Sequence, residues 1–410
     1  MIIHIYYKNN IYNIYMLNND TRKLIDYFIH DYKYNAELKN NNNNLFQQIY
    51  HQLNALDNVN FKSNLSVNSF KTFELLSSSF IPKHIKIEIN KTKKIYTYKC
   101  NINNSNTTIY MKFYVSEYSK ITITKQKQML KKILLVIKFL FLYKSNNTIN
   151  NLTIHIHMSK HKKFLPKNNT DILNQNNVNT AVTYACAKEG ECIIYRKEEW
   201  FKVLIHELMH SLCLDFSSFN YTLLKKRIHN IFPVNSTFYI SETYAELWAV
   251  ILNSIFTSYY STDNYSLFCK TINFIIYFEI LFSTFQMVKI LDYMNIYDYS
   301  NLYQNTSKAE SFRRFYKENS NVFSYYILKF ILLYNIDDTF NWIYKNNNII
   351  QFNKNEKNFN ELYELINILK SNPSMIQDIN KMKTKYYTLK KKYRNDKFIL
   401  STMRMSLFEL

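Results

Sequence analysis

The chain has 410 residues, with 52 Lys and Arg against 31 Asp and Glu, 36 Tyr, 30 Phe, five Cys, four Pro and one Gly. Hydrophobic residues make up 47%, which excludes a disordered chain, and five Cys spread over this length exclude a small disulfide-stapled scaffold. The formal charge of +21 raises nucleic-acid binding, but the Lys is mostly scattered, no specific nucleic-acid motif accompanies it, and the one dense stretch, 381–397, reads as a solvated helix face or tail.

This length predicts two or three packed units. With so little Gly and Pro, turns fall to Asn, Asp and Ser, whose short side chains satisfy nearby backbone groups. Cys100, Cys186, Cys192, Cys213 and Cys269 show no C-x-x-C spacing and read as reduced thiols in a cytosol-like compartment. Residues 1–10 carry no basic-then-apolar signal pattern. Of the longest apolar stretches, 133–143 is too short for a bilayer and 271–291 is interrupted by Glu279 and Lys289, so both are expected as buried helices and no membrane span is expected.

Along the chain, residues 1–83 form a mixed, largely helical region without recognisable chemistry. Three alternating segments, 84–89, 95–100 and 108–115, predict an antiparallel meander. An apolar-periodic helix over 127–143 leads into a strand over 152–158. Segments 180–186 and 191–196 flank Lys188-Glu189-Gly190 and predict a hairpin with Gly190 at positive φ. Glu198 and Glu199 then favour the start of a helix running from Trp200 to Leu214. Another helix is predicted over 241–255 with Ser241 as N-cap, and from 271 onward the pattern is amphipathic helices, the last over 398–410.

Residues 206–210 read His-Glu-Leu-Met-His within a helical pattern. Four-residue spacing puts His206 and His210 on one helix face, where both imidazoles can bind one metal, and sets Glu207 beside a water on that metal. Zn²⁺ in such a site polarises a scissile carbonyl and acidifies the water, while the carboxylate takes the proton and delivers it to the leaving amine. A catalytic zinc needs a third protein ligand and one open position. The run Ser241-Glu242-Thr243-Tyr244-Ala245-Glu246 offers two acids one turn apart; His229 is a rival, disfavoured by the basic run Lys225-Lys226-Arg227 beside it.

These residues resemble the gluzincins, thermolysin-like zinc metallopeptidases in which H-E-x-x-H is followed by a Glu ligand on a downstream helix and an acid four residues later bonds the first His. The resemblance covers about 70 residues, 180–253, and its specific element is the five-residue motif. It implies that Glu242 binds zinc and Glu246 orients His206, with exchange of the two roles left open. No long thermolysin-type signature, metzincin extension or aminopeptidase G-x-M-E-N string is present. The run 196–202 leading into the motif is also similar to that of uncharacterised zincin-like proteins of large DNA viruses, which makes a virion or host cell a further setting beside an intracellular, cytoplasm-like one.

A peptide substrate would need an edge strand to pair with, and the hairpin over 180–196 is the candidate. An oxyanion donor is also required, and Tyr325 or Tyr326 is the candidate, only one of which can face the metal; Arg313 and His229 stand next. The expectation is an α+β protein comprising an N-terminal region 1–83, a zincin-like core 84–260 of antiparallel-edged sheet plus active-site helix, and a mostly helical part 261–410. The function expected is zinc-dependent hydrolysis of a peptide or protein with Glu207 as general base. Two other classes stay open: a zincin-like binding protein of little or no activity, against which the intact Glu207 argues, and a basic nucleic-acid-binding protein, which would gather its charge on one face.

Overall fold

Six strands build the sheet in the computed structural model, which describes residues 18–31, 40–58, 63–102, 107–144, 149–392 and 397–410. They are β1 (Ser63–Asn68), β2 (Lys94–Asn101), β3 (Thr108–Val115), β4 (Asn151–Ser159), β5 (Ala181–Thr183) and β6 (Glu189–Arg196), in the order β1-β2-β3-β4-β6-β5. The first three pair antiparallel, β3–β4 and β4–β6 are parallel, and β5 returns antiparallel to β6 at one end of the sheet. The helix Ile123–Phe141 makes the β3–β4 crossover that parallel strands require.

Alternation along β4 decides its two faces. Leu152, Ile154 and Ile156 enter the main core together with the helix Trp200–Ser211. His155 points to the opposite face, where it bonds Tyr114 Oη at 2.7 Å and Glu191 at 2.8 Å and stacks on Phe73. A smaller apolar cluster covers that face, with Leu75, Ile85, Ile89, Tyr114, Ile193 and Tyr195. The helical remainder packs on the motif side, so the chain is α+β with a mixed sheet.

Several expectations are corrected. Residues 84–89 are not a strand but lie in the helix Lys83–Asn90: Ile85 and Ile89 satisfy the i, i+4 spacing as well as an alternating one, Pro82 (ψ 141°) stands at the N-cap position, and β1 supplies the third meander strand instead. Gly190 is inside β6, with no positive φ. Close packing explains it, since a Cβ there would meet Ile149 Cδ1 at 2.7 Å and both Leu152 Cδ1 and Ser211 Oγ at 3.1 Å. The left-handed position of that hairpin region falls on Cys186 (φ 56°). Ser241 is not a cap: its helix spans Ile240–Tyr260 after Tyr239. At the far end only Lys397–Ser401 is helical, and residues 402–408 run buried through the core. Residues 1–10, read as lacking a signal pattern, lie outside the described residues.

The helix Tyr265–Tyr293 is long and apolar enough, by length and composition, to cross a membrane, but 78% of its most apolar window is buried within the fold. Its two interrupting charges are fully buried and hydrogen-bonded, Glu279 to the backbone N–H groups of Leu407 and Phe408 and Lys289 to the carbonyls of Ile399 and Thr402.

Candidate metal centre

The motif helix Trp200–Ser211 is buried along its whole length, held between the sheet and the helix Ile240–Tyr260. It presents Lys202, His206 and His210 at four-residue intervals, one above the other on a single face. Facing them, Glu246 and Glu242 stand one turn apart. The contacts alternate between the helices: Lys202 Nζ to Glu246 Oε1 at 2.7 Å, His206 Nδ1 to Glu246 Oε2 at 3.0 Å, His206 Nε2 to Glu242 Oε2 at 3.2 Å, and His210 Nε2 to Glu242 Oε2 at 3.5 Å. Because 202 meets 246 and 210 meets 242, the two helices run antiparallel here.

Three donor atoms converge: His206 Nε2 and His210 Nε2 are 3.1 Å apart, and Glu242 Oε2 closes the triangle at 3.2 and 3.5 Å. This His206–His210–Glu242 group could hold a metal ion. Neighbouring ligand atoms of a tetrahedral zinc with bonds of about 2.0–2.1 Å stand about 3.3–3.4 Å apart, so the triangle fits one face of that tetrahedron. The chemistry of the donors fits as well. Both Nδ1 atoms are taken by carboxylates, His206 by Glu246 and His210 by Asp215 Oδ2 at 2.7 Å, so a neutral ring carries its proton there and turns an Nε2 lone pair inward. Two lone pairs and a carboxylate oxygen facing one another at this range repel unless a metal cation or a ring proton lies between them.

Electrostatics points the same way. Burial opposes charge on His210, but Asp215 and then Glu242 outweigh it and raise the imidazole well above its ordinary range. His206 is raised against burial by its bonds to Glu242 and Glu246. Burial also opposes ionisation of Glu246, yet the Lys202 ammonium and then His206 hold its carboxyl at about 2. A field that favours positive charge on these nitrogens also favours a metal cation among them. Glu207 behaves oppositely: burial raises its carboxyl, partly countered by the two His.

A cleft of about 190 Å³ opens over these groups, lined among others by His206, Glu207, His210, Glu242, Tyr325 and the strand residues Ala181–Thr183. Glu242 keeps 19% of its side chain accessible, so the donor triangle is open from the cleft side. Tyr325 is in the cleft, its hydroxyl donating to Glu242 Oε2 at 2.8 Å and its ring 5.8 Å from that of His206. The π-helical turn Phe323–Leu328 carries both tyrosines and sends them apart. Tyr326 is corrected: its hydroxyl donates to Met403 O at 2.6 Å, inside the core and away from the cleft. His229 stacks on Phe238 outside the donor group, and Arg313 donates to the carbonyls of Asn301 and Gln304.

Sequence reasoning missed Asp215, Lys202 and a disulfide. Asp215 follows the motif helix closely, and Lys202 precedes His206 by one turn, but neither residue type is distinctive at that offset. Cys186 and Cys213 are joined by a disulfide with Cα atoms 5.0 Å apart, which corrects the expectation of five reduced thiols. The fold brings together residues 27 apart in sequence, a proximity that no short-range Cys spacing could signal. Both backbone N–H groups donate to the His210 carbonyl at 3.1 Å, so the bridge ties the segment after β5 to the end of the motif helix. Cys100, Cys192 and Cys269 are free thiols. The chain matches no protein-family model, no curated protein and no solved structure.

Proposed function

We propose that the protein is a zinc metallopeptidase with a zincin-like core and the gluzincin ligand arrangement. The observation that carries this reading is the His206–His210–Glu242 triangle with both Nδ1 atoms already committed to carboxylates. His206, His210 and Glu242 would hold the metal, with Glu246 and Asp215 orienting the two rings. Zinc, when bound, would polarise a scissile carbonyl and acidify water. Glu207, in the same cleft, would take the proton from the attacking water and pass it to the leaving amine. Tyr325 would turn its hydroxyl from Glu242 to the developing oxyanion.

Strand β5 supports a peptide substrate. Thr180 and Tyr184 bond toward β6, and the register pairs Val182 with Ile193, so the N–H and C=O groups of Ala181 and Thr183 point away from the sheet. β5 ends the sheet and lines the cleft, so an extended chain could add to it there. The test is metal content and peptide hydrolysis of the purified protein beside His206→Ala. One zinc per chain, lost with the substitution, and hydrolysis that follows it support the reading; a wild-type protein without zinc after reconstitution would overturn it.

A further inference from the structure

The contacts between the motif helix and the helix Ile240–Tyr260 begin one turn before the metal ligands, at a residue that no metal chemistry requires. Lys202 is buried at 2% exposure. Its ammonium touches Glu246 Oε1 at 2.7 Å, the other oxygen of that carboxylate holds His206 Nδ1 at 3.0 Å, and Met405 Sδ lies 3.8 Å from the ammonium. Taking an ammonium out of water costs several kcal/mol, and only a well-placed counter-charge offsets it, so the pair specifies one geometry for each partner. That geometry orients Glu246, and through it the ring of a metal ligand.

Lys202 is itself held by a second structure. Residues 403–408 cross the interior as an irregular segment and rest on the motif helix and its neighbours. Glu199, which precedes the motif helix in a left-handed conformation (φ 56°), accepts the N–H groups of Met405 at 2.9 Å and Ser406 at 2.7 Å, and its other oxygen pairs with Lys163. Glu279 accepts the N–H groups of Leu407 and Phe408 at 2.9 and 3.0 Å, and Tyr326 and Lys329 donate to the carbonyls of Met403 and Met405. Met405 is thereby fixed as the wall beside Lys202, and it also lines the cleft.

We infer that Lys202, seated against the buried segment 403–408, is a positioning residue that sets His206 for metal binding through Glu246. This rests on the zinc reading above. The inference follows from the chain of contacts Met405–Lys202–Glu246–His206, in which Glu246 has one oxygen for each neighbour and therefore cannot rotate toward His206 independently of Lys202.

The experiment is a double-mutant cycle read by zinc affinity, using chelator competition on the metal-free full chain, with the visible spectrum of the cobalt-loaded protein as a second readout. Lys202→Met is expected to weaken zinc binding about 10- to 100-fold, the range for groups that orient ligands, and to alter the cobalt spectrum. Glu246→Gln should do the same. The double variant Lys202→Met/Glu246→Gln should lose no more than Glu246→Gln alone, because Lys202 acts through that carboxylate. The double variant removes both charges of the Lys202–Glu246 pair together, so neither is left without the other, and it remains testable if Lys202→Met alone fails to fold. In that case Met405→Ala, which removes the wall and keeps both charges, should still weaken zinc binding several-fold. Wild-type zinc affinity in Lys202→Met, full additivity in the cycle, or wild-type affinity in Met405→Ala where that variant is the probe, would overturn the inference. Absence of zinc binding in the wild type would overturn the proposed function along with it, which separates the two failures.

Discussion

Asp215 Oδ2 accepts a hydrogen bond from His210 Nδ1 at 2.7 Å, five residues after the ring it holds, while Ser217 Oγ fixes the other oxygen of the carboxylate at 3.0 Å. His206 has Glu246 in the equivalent position, so each ring is oriented by its own acid from a different element. Asp215→Ala and Glu246→Ala should each weaken zinc binding about 10- to 100-fold, and Glu242→Ala should weaken it more than either because a donor atom is lost. Chelator competition decides this. A larger loss in Glu246→Ala than in Glu242→Ala would show that the two acids exchange roles.

Glu207→Gln should keep the fold and the zinc and abolish peptide hydrolysis. The amide is nearly isosteric but cannot accept the proton from water. Turnover equal to wild type at equal zinc content would remove Glu207 from the mechanism.

The two neighbouring tyrosines give a paired test. Tyr325→Phe should lower kcat about 10²- to 10³-fold with little change in KM, as expected when a donor acts mainly in the transition state. Tyr326→Phe removes the bond to Met403 O in the core, so it should lower Tm and reduce the kcat of folded protein far less than Tyr325→Phe does. Unchanged kcat in Tyr325→Phe would exclude it as the oxyanion donor.

Gly190→Ala tests the close packing of β6 on β4 and the motif helix. A methyl group there meets three side chains that must give way, so overpacking should cost about 1–3 kcal/mol, read as a lower Tm or denaturation midpoint. A stability equal to or above wild type would show that Ile149, Leu152 and Ser211 yield freely.

Glu198 gives a pH-dependent expectation. Burial, only partly countered by Lys163, raises its carboxyl to about 7 from an ordinary value of 4.5. An acid raised by folding is easier to ionise in the unfolded chain, so its destabilising contribution begins near the unfolded value and is complete above the folded one. Glu198→Gln should therefore be more stable than wild type by an amount that grows between about pH 5 and pH 8. A difference in Tm that stays flat over that interval would contradict the assignment.

What sequence determined by itself is local and periodic. His206, Glu207 and His210 share one helical turn, Glu242 and Glu246 share another, and helical spacing alone places each set on one face. The strands over 95–100, 108–115 and 152–158 were legible for the same reason, since alternation is written in adjacent residues. Residues 84–89 were misread because Ile85, Ile87 and Ile89 alternate while Ile85 and Ile89 also fit a helix turn, and only packing over the sheet decides between the two. Tertiary structure alone decided that Glu242 meets both imidazoles, that Tyr325 enters the cleft while Tyr326 leaves it, and that Cys186 reaches Cys213. It also decided the course of residues 402–408. Their apolar pattern suits a helix, but Glu199 and Glu279 offer carboxylates to successive N–H groups, and that capture satisfies the backbone in place of helical hydrogen bonds. Such partners are distant in the chain, so no short-range pattern encodes them.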